Sequence, residues 1–182
     1  MPNYCNYEMR IRGSRESVDR VLACLMADYN YYEGKPSHKH FFRVFEARNW
    51  DEWKNGDGTF TKTVCGSCAW SVYMCMCSGG LTYYDRAKGE HPETFMGTTL
   101  AEQSKDCEIE VFSEETGVGF GEHYIFKGGE CQCDDTVDVQ SAGYDGSGNA
   151  TADIDWSTYD GDILCLDPHR EDQTDGYLWE IC

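Results

Sequence analysis

Residues 3–25, Asn-Tyr-Cys-Asn-Tyr-Glu-Met-Arg-Ile-Arg-Gly-Ser-Arg-Glu-Ser-Val-Asp-Arg-Val-Leu-Ala-Cys-Leu, change their hydrophobic period halfway along. Cys5, Tyr7, Met9 and Ile11 alternate with Asn6, Glu8, Arg10 and Arg12. That period of two predicts a strand over 3–12 with one face buried. Gly13-Ser14 then punctuates, and the Ser14 hydroxyl suits a helix N-cap. Val18, Val21, Leu22 and Leu25 recur at i, i+3, i+4 and i+7, which predicts a helix over 15–28. The chain therefore opens strand–turn–helix.

Outward from this segment the signals are shorter. Residues 29–40 read as loop, and Phe41 to Phe45 as a short strand or a helical turn. Trp50 to Trp53 with Asn55-Gly56-Asp57-Gly58 reads as a turn-rich link. Residues 68–77 are apolar on both faces, the pattern of a covered central strand. Thr99-Leu100-Ala101-Glu102 has capping-box spacing for a short helix to about Lys105. Cys107, Ile109 and Val111 predict a strand, Glu114 to Gly117 a turn, and Phe120 to Lys127 a returning strand that residues 130–140 extend. The resulting order β-α-β-β-α-β-β predicts an α+β fold with helices on one face of an antiparallel sheet. Residues 1–140 form this domain. Residues 141–182, which open with a Gly/Ser/Asn stretch, form an acidic C-terminal extension packed on or beside it.

Composition bounds the class. Of 182 residues 40% are hydrophobic and 14% aromatic, too many aromatics for a disordered acidic chain. No run approaches the roughly 20 apolar residues of a membrane helix. The N-terminus shows no basic-then-apolar secretory pattern. Eleven cysteines, an odd number without a signal peptide, predict reduced thiols in a cytoplasm.

The charge is lopsided. Residues 1–88 hold twelve Lys/Arg and ten Asp/Glu, a net of +2. Residues 89–182 hold three Lys/Arg and twenty-three Asp/Glu, a net of −20, and the halves sum to −18. Such a chain repels phosphates and anionic lipid and attracts basic partners through long-range steering.

Three stretches carry a resemblance. The opening Met1-Pro2-Asn3-Tyr4-Cys5-Asn6, the segment Gly66-Ser67-Cys68-Ala69-Trp70-Ser71, and Glu114 to Tyr124 with its Gly119-Phe120 step resemble the YubB-like ferredoxin-fold family over about residues 1–130. Tyr4 stands where that family usually has Trp. The resemblance implies a ferredoxin-like sheet with two helices on one face. It also implies carriage by phages, plasmids and other mobile elements of bacteria, and no catalytic role. Small and acidic, the whole chain also resembles Cas9-inhibiting anti-CRISPR proteins.

Metal-ligand spacings are present. Cys65-x-x-Cys68 and Cys75-x-Cys77 place four thiols in thirteen residues, half of it in a usual zinc spacing. Packing as small hydrophobes is the plainer reading of these four, and no cofactor is assigned. Cys131-x-Cys133 with His123 is a second candidate set. Asp145-x-Ser147-x-Asn149-x-Thr151-x-Asp153 imitates a calcium loop, but Ala150 and Trp156 stand where Gly and Glu belong. Neither a nucleophile elbow nor a P-loop is present, so no catalytic residue is assigned.

The expected partner surface is acidic: Asp134, Asp135, Asp138, Asp153, Asp155, Asp160, Asp162, Asp167, Glu171 and Asp172, with Trp156 and Tyr159 as aromatic anchors. The expectation is an inhibitor that mimics nucleic-acid phosphate and occludes a basic effector such as Cas9. Two alternatives stand beside it. One is a nucleic-acid-binding module using Arg10, Arg12, Arg15, Arg20, Lys35, Lys39, Arg43 and Arg48. The other is a metal-stabilised structural module.

Overall fold

The computed structural model describes residues 3–26, 39–78, 97–115 and 117–138. Six strands form one antiparallel sheet: β1 (Tyr4–Gly13), β2 (Val44–Lys54), β3 (Phe60–Ala69), β4 (Cys107–Glu115), β5 (Phe120–Lys127) and β6 (Glu130–Asp138). Their order across the sheet is β2-β3-β1-β4-β5-β6. The fold is thus α+β with few helices. The predicted extension 141–182 lies outside the described residues.

The opening segment folds as its periods dictate. Cys5, Tyr7, Met9 and Ile11 of β1 are all fully buried on one face. Helix α1 (Arg15–Met26) packs over that face with Val18, Val21, Leu22 and Leu25. Its first turn is capped as expected: the Ser17 amide donates to Ser14 Oγ at 3.1 Å.

Two readings need correction. Trp50 to Trp53 belong to β2, which runs on to Lys54. The turn is confined to Asn55–Thr59, where the Asn55 amide donates to the Thr59 carbonyl at 2.8 Å. Residues 68–77 are not a strand. β3 ends at Ala69, Trp70 takes a left-handed backbone (φ 65°), and Tyr73–Cys77 form a π-helical turn. The double-sided apolarity comes from Val72, Cys75 and Met76, which pack into the core at i, i+3 and i+4. The short helix expected from Thr99 to about Lys105 forms as predicted: one α-turn, α2 (Leu100–Gln103), continued by a 3-10 turn at Ser104–Asp106. Its Thr99 side chain accepts from the Glu102 amide at 3.2 Å, as a capping box requires.

The second face of β1 is buried too, contrary to the half-buried expectation. Glu8 and Arg10 are each only 5% exposed and pair at 2.8 Å. On β4 and β5 the same face carries Glu110, Phe112, His123 and Ile125, all buried. Among the described residues no helix is long and apolar enough to cross a membrane.

Candidate functional site

The buried polar layer on that second face reaches the β5–β6 edge, where side chains with chemistry converge. Register pairs His123 of β5 with Phe112 of β4 on one side and with Asp135 of β6 on the other. Ile125 pairs with Cys133, so Cys133 and Asp135 share the His123 face. The imidazole stacks flat on Phe112, centroids 4.2 Å apart and planes within 4°. Its Nε2 lies 2.9 Å from Glu110 Oε1, and both residues are 1% exposed. Facing a carboxylate, we assign Nε2 the proton, which leaves the Nδ1 lone pair toward the edge. There Nδ1 is 3.8 Å from Cys133 Sγ, whose thiol donates to Asp135 Oδ2 at 3.2 Å. Burial, then the hydrogen bond to Asp135, pushes the Cys133 thiol up to about 12. Exposure rises along the cluster: His123 is buried, Cys133 half-buried and Asp135 open to solvent.

Cys131 does not join this cluster, although C-x-C on a regular strand shares a face. Phe126 pairs with Cys131 and Ile125 with Cys133, so a bulge at Gln132 sets the two cysteines on opposite faces. The Cys131 thiol donates to the Cys133 carbonyl at 3.0 Å.

Nor do Cys65, Cys68, Cys75 and Cys77 converge as a set of four. Cys65 pairs with Glu8 and Cys68 with Cys5, which puts them on opposite faces of β3. Cys68 lies against Cys5 and Cys75 in the core, and burial holds its thiol well above the ordinary range. Cys75 donates to the Ala69 carbonyl at 2.8 Å. Burial, then the Glu122 charge, likewise raises Cys77. These thiols are positioned as packing.

Of the expected acidic surface, Asp134 and Asp135 lie exposed on the edge strand β6. Adjacent on a strand, they face opposite sides, Asp134 opposite Tyr124 and Asp135 opposite His123. Asp138 closes β6 opposite Phe120. Asp153, Asp155, Trp156, Tyr159, Asp160, Asp162, Asp167, Glu171 and Asp172 lie outside the described residues, as does the calcium-like loop.

Among the described residues, the candidate basic side chains of the N-terminal half have partners. Arg12 reaches Asp57 at 2.7 Å, Arg15 reaches Glu52 at 2.6 Å, and Arg20 pairs with Asp106. Lys39 faces Glu102 at 3.6 Å, and Arg48 reaches Glu46 at 2.6 Å. Arg43 stacks on Trp70, 4.6 Å from the ring centroid. Lys35 lies outside the described residues. The cleft of about 560 Å³ beside Arg12, Lys105 and Lys127 is lined equally by Asp57, Asp106 and Glu108.

Sequence spacing singled out His123 and Cys133 but missed Asp135 as their neighbour and Glu110 as the partner of His123. Neither has a motif; both are supplied by strand register. Comparison with family models, curated proteins and solved structures finds no match to this chain.

Proposed function

We propose that this protein is a binding protein, not an enzyme. It engages a basic nucleic-acid-handling partner through carboxylates on and beyond β6. In its most specific form it is a mobile-element inhibitor of a Cas9-type effector, located in the cytoplasm of a bacterial host. The observation that carries this reading is the asymmetry of charge neutralisation. Arg10, Arg12, Arg15, Arg20, Lys39 and Arg48 each lie against a carboxylate. Among the described residues no Lys or Arg pairs with Glu130, Asp134 or Asp135 on the exposed edge. The half of the chain that follows residue 88 carries the net −20. A surface so disposed steers toward Lys/Arg channels built for phosphate. The same pairing speaks against direct nucleic-acid binding by the N-terminal half.

We further propose that the first four strands with their helices are a ferredoxin-like unit. The sheet order β2-β3-β1-β4 and the helix between β1 and β2 support this, and the one-turn α2 stands in for the second helix.

The test is DNA cleavage by guide-loaded Cas9, titrated with the full chain at two salt concentrations. The expected result is inhibition that weakens at higher salt. It should weaken further in Glu130→Gln/Asp134→Asn and in Asp153→Asn/Asp155→Asn/Asp160→Asn/Asp162→Asn. No inhibition at several-fold excess overturns Cas9 as the partner. Full inhibition by both variants overturns phosphate mimicry.

A further inference from the structure

We propose that His123 Nδ1, Cys133 Sγ and the Asp135 carboxylate form a binding site for a zinc-class divalent cation at the β5–β6 edge. Glu110 acts as the outer partner that orients the imidazole. The three donor atoms lie within 4.8 Å of one another. Tetrahedral zinc with bonds of about 2.0–2.3 Å needs donor separations of about 3.4–3.6 Å. Cys133 already stands 3.2 Å from Asp135 and 3.8 Å from His123. Shifts of a few tenths of an ångström bring Cys133 to bonding geometry with each neighbour, and rotation of the exposed Asp135 side chain closes its separation from His123, which lies within 4.8 Å.

The donor chemistry fits. Thiolate plus imidazole selects zinc and its late-transition neighbours over magnesium or calcium. Three protein donors leave the fourth position open to water, on the exposed side where Asp135 lies. A metal-ligating histidine usually donates its other ring N–H to a carboxylate, and Glu110 Oε1 holds that place at 2.9 Å. Stacking on Phe112 removes the remaining freedom of the ring. The second oxygen, Glu110 Oε2, is buried without a hydrogen-bond partner. A buried carboxylate of this kind is costly unless positive charge lies nearby. Arg10 stands opposite Glu110 in the β1–β4 register, and a cation on Nδ1 adds positive charge through the imidazole. On binding, the metal takes the place of the Cys133 thiol proton, which leaves to solvent.

The test is equilibrium dialysis of the reduced full chain against zinc, with cobalt(II) as an optical probe of thiolate ligation. Wild type and Cys131→Ser are expected to hold one zinc per chain and to show the thiolate-to-cobalt absorption band. Cys133→Ser should lose both. Glu110→Gln should weaken zinc by about 10- to 100-fold without changing the stoichiometry at saturation. Circular dichroism reports whether each variant folds. If Cys133→Ser does not fold, the exposed Asp135→Asn takes its place and must lower affinity. Failure of wild type to bind zinc overturns the site. So does zinc retained in folded Cys133→Ser, or lost equally in Cys131→Ser. Cas9 inhibition is read independently, because its variants leave His123, Cys133 and Asp135 intact.

Discussion

Glu122 accepts from the Val72 and Tyr73 amides at 2.8 and 3.1 Å, from the Ser113 hydroxyl at 2.6 Å and from the Tyr124 hydroxyl at 3.3 Å. It is 3% exposed, and it satisfies the first amides of the π-helical turn from across the sheet. Glu122→Ala leaves one buried and one part-buried N–H group without their acceptor, so the expected loss is about 2 kcal/mol of unfolding free energy. Glu122→Gln keeps one acceptor oxygen and should lose less. Urea denaturation of the three proteins measures this, and equal midpoints would remove the cap from the account. Nothing in the alternation of Phe120 to Lys127 marks Glu122 as the buried carboxylate, because the amides it caps lie about fifty residues away. Gly66 is a second residue whose role is spatial. A Cβ there would stand 1.9 Å from the Glu46 carbonyl oxygen and 2.8 Å from the Tyr7 hydroxyl, which donates to that same carbonyl. Gly66→Ala must push two strands apart, at an expected cost of about 1–3 kcal/mol. Thermal unfolding reads it directly, and an unchanged midpoint would mean that β2, whose register against β3 shifts between Val44 and Glu46, absorbs the methyl freely.

At the scale of elements, what was legible depended on whether the period came from the element itself. β1 and α1 each carry one uninterrupted period beside a turn, and both form where the sequence places them. The stretch 68–77 misleads because a strand end and a helical turn adjoin there as one apolar run. The useful signals were Ser71, whose hydroxyl accepts from the Met74 amide at 3.0 Å, and the i, i+3, i+4 spacing of Val72, Cys75 and Met76. The candidate metal cluster was legible in two of its residues. The bulge at Gln132, which admits Cys133 and excludes Cys131, arises from pairing and has no local signature. β2 offers a test in pH. Its Glu52 accepts from Arg15 of α1 and also from Lys62 of β3, and these partners, Arg15 foremost, hold its carboxyl down at about 2. A carboxyl depressed in the folded state stabilises above its ordinary value near 4.5 and loses that contribution as pH falls toward 2. Wild type should therefore lose its margin over Glu52→Gln between those two values. The margin is small because the pair is partly solvated. Melting temperatures of both proteins across that window measure it, and a constant difference would show that the pair contributes nothing.

For the whole molecule, charge sets a tension between folding and binding. A formal net charge of −18 repels itself in the compact state more than in the expanded one. The ion pairs engage most of the described cations, but only a few from the N-terminal half, Arg20 with Asp106, Arg12 with Glu108 and Lys39 with Glu102, offset carboxylates that follow residue 88. Salt screens both effects, with a Debye length falling from about 30 Å at 0.01 M to about 3 Å at 1 M. Two opposite dependences on one variable follow. The free protein should melt at a higher temperature as sodium chloride rises across that range, because self-repulsion is screened. Its association with a basic partner should slow over the same range, because steering is screened. A melting temperature that falls with salt would mean that the surface ion pairs outweigh the net charge, so that the acidic excess costs the fold little. Carboxylates that cost the fold nothing would need no partner to account for them, and the inhibitor reading would lose its energetic argument. A melting temperature that rises with salt while association slows would trace both effects to the same acidic residues.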